Sequence, residues 1–304
     1  MNKISTTLIL FLLANLAIAQ DGKILSKRLV DISQTPIWER ISQDNELLPA
    51  FNHLNKLDLY FIAYQSDSLI IRGLMMEPKE EGKYPVIIFN RGGNRDFGQL
   101  SIGTLIMYTS KLAAEGYVVL GSNYREKDEF GGEEINDVLN LMETAKEIDK
   151  ADPNSIGMFG WSRGGMMTYL ALRKSDKIKT AIVGNGPTDL FGLIADRPKM
   201  ETNVLAECVP NYWDNKASEL KKRSVVHWPD ELNKNSSLLI LCGIKDKRLK
   251  ADQSSQLAEK LEEINYDFEL KKYDTDHYFT GHKEELNQLV IDWFDSRLKG
   301  PGTN

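Results

Sequence analysis

The chain has 304 residues, of which 41% are hydrophobic and 27% are charged, and this balance is that of an ordinary globular protein. Its 44 acidic residues outnumber the 38 lysines and arginines, which gives a formal net charge of −6. This acidic balance argues against nucleic acid or an anionic membrane surface as a partner, and the length is sufficient for a large core.

Residues 1–19 have the pattern of a secretory signal peptide. Lys3 is followed by an apolar run that ends in Ala17-Ile18-Ala19. A basic start, a short apolar stretch and a small-residue end are the parts of such a signal, and the run is short for a stable membrane span. We therefore expect cleavage after Ala19, a secreted or periplasmic mature chain, and no integral membrane segment in it. The alternative is an uncleaved N-terminal anchor.

After this segment the pattern predicts a polar, helical lead-in over residues 23–55 and then a hairpin of strands at 57–64 and 68–76. Apolar strands that lack alternating polarity then follow, separated by helices. Such strands indicate a parallel sheet buried on both faces, so the fold class is a doubly wound α/β fold with antiparallel strands at its start. The later strands are predicted at 85–89, 117–121, 155–159, 179–183, 237–242 and 266–273, and the helices at 100–116, 133–148, 166–172, 251–264 and 286–298.

The sequence Gly160-Trp161-Ser162-Arg163-Gly164-Gly165 lies between a predicted strand and a predicted helix. In that context G-x-S-x-G is typical of a nucleophile elbow, a sharp turn that exposes the serine hydroxyl. Glycines are needed beside the serine because a strained turn leaves no room for Cβ atoms there. Ser162 is therefore the predicted nucleophile. The alternative is a glycine-rich turn that happens to hold a serine.

A serine nucleophile needs a neighbouring base, which in this kind of fold follows the last strand. The chain has four histidines, and His53 and His227 lie in the lead-in and in a long loop. His277 follows the strand predicted at 266–273 and is the predicted base. His282, five residues later, is the runner-up.

The base in turn needs an acid that orients it. Asp246 comes directly after the strand predicted at 237–242, so it leaves the carboxyl end of a central strand, where α/β folds place their sites. Asp246 is the predicted acid, and its competitors are Asp230, Asp274 and Asp276.

An acyl-transfer site also needs hydrogen-bond donors for the developing oxyanion. The backbone amide of Arg163, next after the nucleophile, is one candidate. The amides of Gly92 and Gly93, in the loop after the strand at 85–89, are the others, because paired glycines let the backbone approach a ligand closely. The side chain of Asn90 is a weaker candidate.

Three arginines, Arg91, Arg125 and Arg163, occur near the predicted site. One hypothesis is that they favour an acidic substrate group by bidentate pairing, and the alternative is a structural or solvent-facing role. Cys208 and Cys242 are either bridged or free, and we favour free thiols. No residue pattern suggests a metal site or a phosphate or dinucleotide cofactor, so neither a metal nor a cofactor is expected.

At this point the chain resembles the catalytic domain of the prolyl oligopeptidase (S9) family of serine peptidases, over residues 84–298. The oxyanion loop differs, because Asn90-Arg91-Gly92-Gly93 stands where that family usually has H-G-G. Too few residues precede position 84 for the family's β-propeller, so none is expected. The resemblance rests on Gly160-Trp161-Ser162-Arg163-Gly164-Gly165, Ser122-Asn123-Tyr124-Arg125, Gly131-Gly132-Glu133-Glu134-Ile135-Asn136-Asp137, Cys242-Gly243 to Asp246 and Asp276-His277-Tyr278-Phe279.

The resemblance implies an α/β-hydrolase fold with Ser162, Asp246 and His277 as a catalytic triad. Together with the predicted signal peptide, it implies a secreted serine hydrolase that cleaves peptide or small ester bonds through an acyl-enzyme. The alternative is a carboxylesterase or deacetylase that acts on carbohydrate or lipid esters, and a binding module with a decayed site is the third hypothesis. The expected organisation is a lead-in over 20–56, a catalytic domain over 57–299 with a cap-like insertion at 190–235, and a tail over 300–304. The sequence makes no prediction about the oligomeric state.

Overall fold

The computed structural model describes residues 20–300. The predicted signal peptide at 1–19 lies outside these residues, as does most of the predicted tail. Within the described part, no helix combines the length and the hydrophobicity that a membrane span requires.

Nine of the strands in residues 20–300 form one sheet, in the order β1-β4-β5-β7-β6-β8-β9-β10-β11. The strands from β6 to β11 pair in parallel, whereas β1, β4 and β5 are antiparallel to their neighbours. Strands β2 and β3 form a separate small hairpin. The strands are β1 (Ile24–Leu29), β2 (Ser42–Gln43), β3 (Glu46–Leu47), β4 (Leu57–Ser66), β5 (Leu69–Pro78), β6 (Tyr84–Asn90), β7 (Val118–Ser122), β8 (Ala151–Trp161), β9 (Ile178–Gly184), β10 (Ser237–Gly243) and β11 (Phe268–Tyr273).

Helices cover both faces of this sheet, as the doubly wound prediction requires. Helices α2 and α10 pack in the core cluster of one face, and α3, α4 and α9 pack in that of the other. The helices are α1 (Trp38–Ile41), α2 (Ile102–Ala114), α3 (Ile135–Thr144), α4 (Arg163–Lys174), α5 (Leu190–Asp196), α6 (Pro198–Met200), α7 (Ala206–Cys208), α8 (Tyr212–Lys222), α9 (Ala251–Glu263) and α10 (Lys283–Leu298). Pro49–Lys56 is a 3-10 helix, and Glu201–Leu205 is π-helical.

The α/β-hydrolase prediction is confirmed, because the central strands are buried on both faces between the helical layers. Every residue of β7 and of β10 is buried. Between β9 and β10 the described chain forms helices α5 to α8, in the segment predicted to be a cap-like insertion.

The prediction of a helical lead-in is wrong for its first residues. Ile24–Leu29 is a strand that pairs antiparallel with β4 at the edge of the sheet. Five of its six side chains are exposed, so it has no alternation of buried and exposed positions. A strand of this kind is held by its backbone hydrogen bonds to β4, which a pattern of apolar residues does not reveal.

Parallel pairing brings the carboxyl ends of the central strands to one edge of the sheet. Asn90 at the end of β6 pairs with Gly160 in β8, and Trp161 at the end of β8 pairs with Gly184 in β9. Gly243 at the end of β10 pairs with Tyr273 in β11. The loops that carry the predicted site residues therefore start from the same edge.

Candidate active site

Ser162 lies in the sharp turn between β8 and α4, with φ 57° and ψ −127°. A positive φ is unusual for a residue with a side chain, and here its backbone N–H donates to the Gly184 carbonyl at 2.8 Å. A Cβ atom on Gly164 would lie 1.8 Å from the carbonyl oxygen of Asn90, and one on Gly160 would lie 2.2 Å from the Gly164 oxygen. The glycines are therefore required for the helix to begin against the strand ends, which holds the serine in its strained conformation.

Asp246 and His277, from the loops after β10 and β11, form a buried pair. The Nδ1 atom of His277 lies 2.6 Å from Oδ2 of Asp246. The other carboxylate oxygen accepts hydrogen bonds from the amides of Arg248 at 2.7 Å and Leu249 at 3.0 Å. Because an ionised carboxylate only accepts, this contact suits an imidazole with its proton on Nδ1, and in that tautomer Nε2 is the acceptor.

Side-chain hydrogen bonds also hold the backbone of His277 in place. The carbonyl of His277 accepts hydrogen bonds from Trp161 Nε1 at 3.1 Å and from Asn185 Nδ2 at 2.9 Å. Asn185 Oδ1 in turn accepts from the Gly243 amide at 2.9 Å. Asn185 thus ties the loop of the histidine to the strand that leads to Asp246, and sequence reasoning missed it. The sequence feature that points to it is the run Gly184-Asn185-Gly186 directly after a predicted strand. In the structure Asn185 has a φ of 45°.

Ser162 and His277 line the same cavity, whose volume is about 100 Å³. The predicted nucleophile and base therefore face one space, although they come from strands that are far apart in the sequence. The remaining lining residues are Gly93, Asn94, Phe97, Phe130, Arg163, Asn185, Pro187, Leu193, Arg197, Met200, Arg248 and Leu249.

The competing acids and the second histidine face other groups. Asp274 is exposed and forms an ion pair with Lys245 at 2.8 Å, and His282 contacts Glu285. Asp276 is half-buried and accepts hydrogen bonds within its own loop, and the one from the Thr280 amide is the main cause that lowers its pKa. Asp230 is exposed at the surface.

The three predicted backbone donors for the oxyanion lie beside the serine or line its cavity. Arg163 is the first residue of α4. Its backbone N–H is therefore one of those at the start of the helix that have no intrahelical acceptor. A Cβ atom on Gly92 would lie 3.8 Å from Oγ of Ser162, and Gly93 lines the cavity. The side chain of Asn90, the weaker candidate, is buried and donates to Thr168 Oγ1 at 2.9 Å. It is therefore turned away from the cavity.

The hypothesis that Arg91, Arg125 and Arg163 bind an acidic substrate group is wrong, because their guanidinium groups are engaged inside the protein. Arg125 is bound by the carboxylates of Asp137 and Asp67, each at 2.8 Å. Arg91 is buried, donates to backbone carbonyls and stacks on the ring of Tyr124 at 4.7 Å. The sequence did not reveal which acids would fold onto these arginines.

Arg163 is held by a pair of buried acids. Its guanidinium contacts Asp128 at 2.6 Å and Glu134 at 2.5 Å, and all three side chains are buried. Burial alone would lower the pKa of Arg163, but the charges of Glu134 and Asp128 outweigh it and raise that pKa. Burial would likewise raise the pKa of Asp128, but Arg163 and two backbone amides hold it below its ordinary value.

Cys208 and Cys242 are both buried free thiols. Burial raises the pKa of Cys208 to about 11, so this thiol is unreactive at neutral pH. Residues 20–300 contain no cluster of side chains that could hold a metal ion.

Comparisons with known proteins identify a family and a fold. The sequence model of the prolyl oligopeptidase family matches residues 108–301. The uncharacterised peptidase YtmA of Bacillus subtilis is 27% identical over 249 residues, which are 79% of this chain and 94% of YtmA.

Two solved peptidases share the fold. Pyrococcus horikoshii acylaminoacyl peptidase superposes with a TM-score of 0.69 at 22% identity, over 86% of this chain and 46% of that one. Porphyromonas gingivalis dipeptidyl peptidase 4 superposes with a TM-score of 0.65 at 21% identity, over 78% of this chain and 35% of that one. The chain thus spans less than half the length of these solved proteins.

Proposed function

Because the chain belongs to the prolyl oligopeptidase family and is a serine hydrolase, we propose that it cleaves peptide bonds through an acyl-enzyme on Ser162. The observation that carries this proposal is the buried hydrogen bond between Asp246 and His277 beside the cavity that Ser162 lines. The site holds a nucleophile, a base and an orienting acid in three loops, which is the arrangement that acyl transfer needs.

In the proposed reaction, Oγ of Ser162 attacks the scissile carbonyl and gives its proton to Nε2 of His277. Asp246 keeps the proton of Nδ1 in place and stabilises the imidazolium that forms. The amides of Arg163 and of Gly92 or Gly93 donate to the oxyanion of the tetrahedral intermediate. His277 then protonates the leaving amine, and a water molecule, deprotonated by the same imidazole, hydrolyses the acyl-enzyme and restores the serine.

The first test is covalent labelling with a fluorophosphonate probe, which reacts with an activated serine. We expect labelling of the wild type and none of Ser162→Ala. The matched control Ser26→Ala removes an exposed hydroxyl on β1 and should label fully. Labelling that survives in Ser162→Ala would assign the nucleophile to another residue.

The second test separates peptide from ester substrates. A panel of peptidyl and aminoacyl amides is compared with aryl esters, and we expect turnover of both kinds because an enzyme that cleaves amides also cleaves activated esters. Ester turnover without any amide turnover would refute the peptidase proposal. It would support instead a carboxylesterase or deacetylase that uses the same three residues.

We further propose that the chain is exported and that residues 1–19 are removed. The support is the basic start, the apolar run and the Ala17-Ile18-Ala19 end of this segment. N-terminal sequencing of the protein recovered from the medium or periplasm should begin at Gln20. Exported protein that begins at Met1 would contradict cleavage.

A further inference from the structure

We propose that Arg197 and Arg248 form a binding site for a carboxylate group of the substrate, next to Ser162. This inference deepens the proposed peptidase function and rests on it. It names the substrate class as peptides that carry a negative charge close to the scissile bond.

Both arginines line the cavity that also holds Ser162 and His277, but they come from different parts of the chain. Arg197 directly follows α5, and Arg248 lies in the loop between β10 and α9. One guanidinium nitrogen of Arg197 donates to the carbonyl of Arg248 at 3.2 Å, and the guanidinium of Arg248 lies 5.1 Å from the ring centre of Tyr278. These contacts place the side chain of Arg197 against the backbone of Arg248 and the side chain of Arg248 against Tyr278, and they leave most of the guanidinium N–H donors available.

No acidic side chain within residues 20–300 neutralises the charges of the two arginines. Neither guanidinium has an ion-pair partner among residues 20–300, and no aspartate or glutamate is among the residues that line the cavity. Asp196, the neighbour of Arg197, pairs instead with Lys250, and Asp246 binds His277. By contrast, the buried Arg163 has two carboxylate partners. The half-buried Arg197 and the exposed Arg248 are therefore both available to an anion of the substrate.

The chemistry of the guanidinium group favours a carboxylate as that anion. Its planar fork of N–H donors matches the two oxygens of a carboxylate, and such pairs are stronger than neutral hydrogen bonds. The cavity wall beside the arginines is apolar, with Leu193, Met200 and Leu249, so it can contact a short methylene stem. The carboxylate can belong to a glutamate or aspartate side chain or to the C-terminus of a short peptide.

The experiment compares substrates that differ only in one charge. The side-chain arm uses N-acetyl-Ala-Glu nitroanilide against its Gln counterpart. The terminal arm uses a neutral quenched fluorogenic peptide with a free C-terminus against the same peptide as its amide. We expect the wild type to prefer the charged member of at least one pair by about tenfold in kcat/KM, because the charged group gains charge-assisted hydrogen bonds.

The double variant Arg197→Gln, Arg248→Gln should lose this preference, so that the two rates agree to within about twofold. The matched control is Arg40→Gln, which removes an exposed arginine on the short helix α1 and should keep the wild-type ratio. High salt should reduce the preference in the wild type, since the pairing is electrostatic. The arm that shows the preference identifies the source of the carboxylate.

Equal rates for both pairs in the wild type, or a preference that survives in the double variant, would overturn the inference. Fluorophosphonate labelling of every variant separates this failure from failure of the proposed function. A wild type that labels but shows no preference refutes the carboxylate site alone, whereas a wild type that does not label refutes the activated serine.

Discussion

The orientation of the His277 imidazole depends on the carboxylate of Asp246. One oxygen binds Nδ1 of His277 at 2.6 Å, and the other accepts two backbone amides. We predict that Asp246→Asn lowers kcat by about 10⁴-fold, because the amide no longer holds the proton on Nδ1 or stabilises the imidazolium. The measurement is steady-state turnover of an aryl ester or peptidyl amide.

The matched control is Asp274→Asn, which removes a carboxylate that is exposed and paired with Lys245 on the surface. Its turnover should stay within about threefold of the wild type, since an exposed ion pair contributes little. Equal losses in the two variants would show that Asp246 is not the orienting acid.

At the scale of residues, the sequence could predict which side chains follow which strands, and this was sufficient to choose Ser162, Asp246 and His277. It could not predict contacts that depend on how distant loops meet. Asn185 binds the carbonyl of His277 across 92 positions in the chain, and no local pattern encodes that hydrogen bond. For the same reason the sequence left open whether Arg91, Arg125 and Arg163 bind the substrate or have a structural role, and the structure shows the structural role.

At the scale of elements, helix α4 carries one arginine at each end, and the two differ in burial. Arg163 at the first position is buried between Asp128 and Glu134, whereas Arg173 in the last turn forms a partly exposed pair with Glu231. We predict that Arg163→Gln lowers the free energy of unfolding by about 3–5 kcal/mol, because it leaves two buried carboxylates without a cation. Arg173→Gln should cost only about 1 kcal/mol.

Urea unfolding of both variants measures this difference. Similar losses would mean that the buried acids find another partner or protonate without cost. The variant Arg163→Lys keeps the charge but not the fork of donors, so its loss should lie between that of Arg163→Gln and the wild type.

The central elements were predictable because each is a run of apolar residues bounded by glycine, proline or polar residues. The boundaries of these elements were not predictable from the same pattern. Strand β8 was predicted at 155–159 but spans Ala151–Trp161, since its pairing with β6 begins at Ala151, before the polar residues that precede the apolar run. Strand β1 escaped prediction because it pairs with β4 at the edge of the sheet and five of its six side chains are exposed. Pairing between strands is a property of the fold, and it extends or creates strands where the local pattern is weak.

At the scale of the whole molecule, carboxylates with arginine partners link the turn between β4 and β5 and the loop before α3 to other parts of the fold, and a further pair lies at the C-terminal end of α8. Asp67, Asp128 and Glu219 contact Arg125, Arg163 and Arg223, respectively. Burial alone would raise the pKa of each acid, but hydrogen bonds and charge from the cations that surround it outweigh burial and lower the pKa below its ordinary value.

A lowered pKa in the folded state makes stability depend on acid pH. Below about pH 4 these carboxylates bind protons in the unfolded chain but remain ionised in the folded protein. Their contribution to the free energy of unfolding is therefore complete above that pH and is lost as the pH falls through the folded-state pKa values. We predict that the free energy of unfolding by urea is lower at about pH 3 than at about pH 5, and that Asp128→Asn shows a smaller fall over this interval. The control Glu259→Gln changes an exposed residue on α9, and its free energy of unfolding should decrease over this interval as much as that of the wild type. If Asp128→Asn also falls as far as the wild type, the buried pair with Arg163 is not a source of the acid sensitivity.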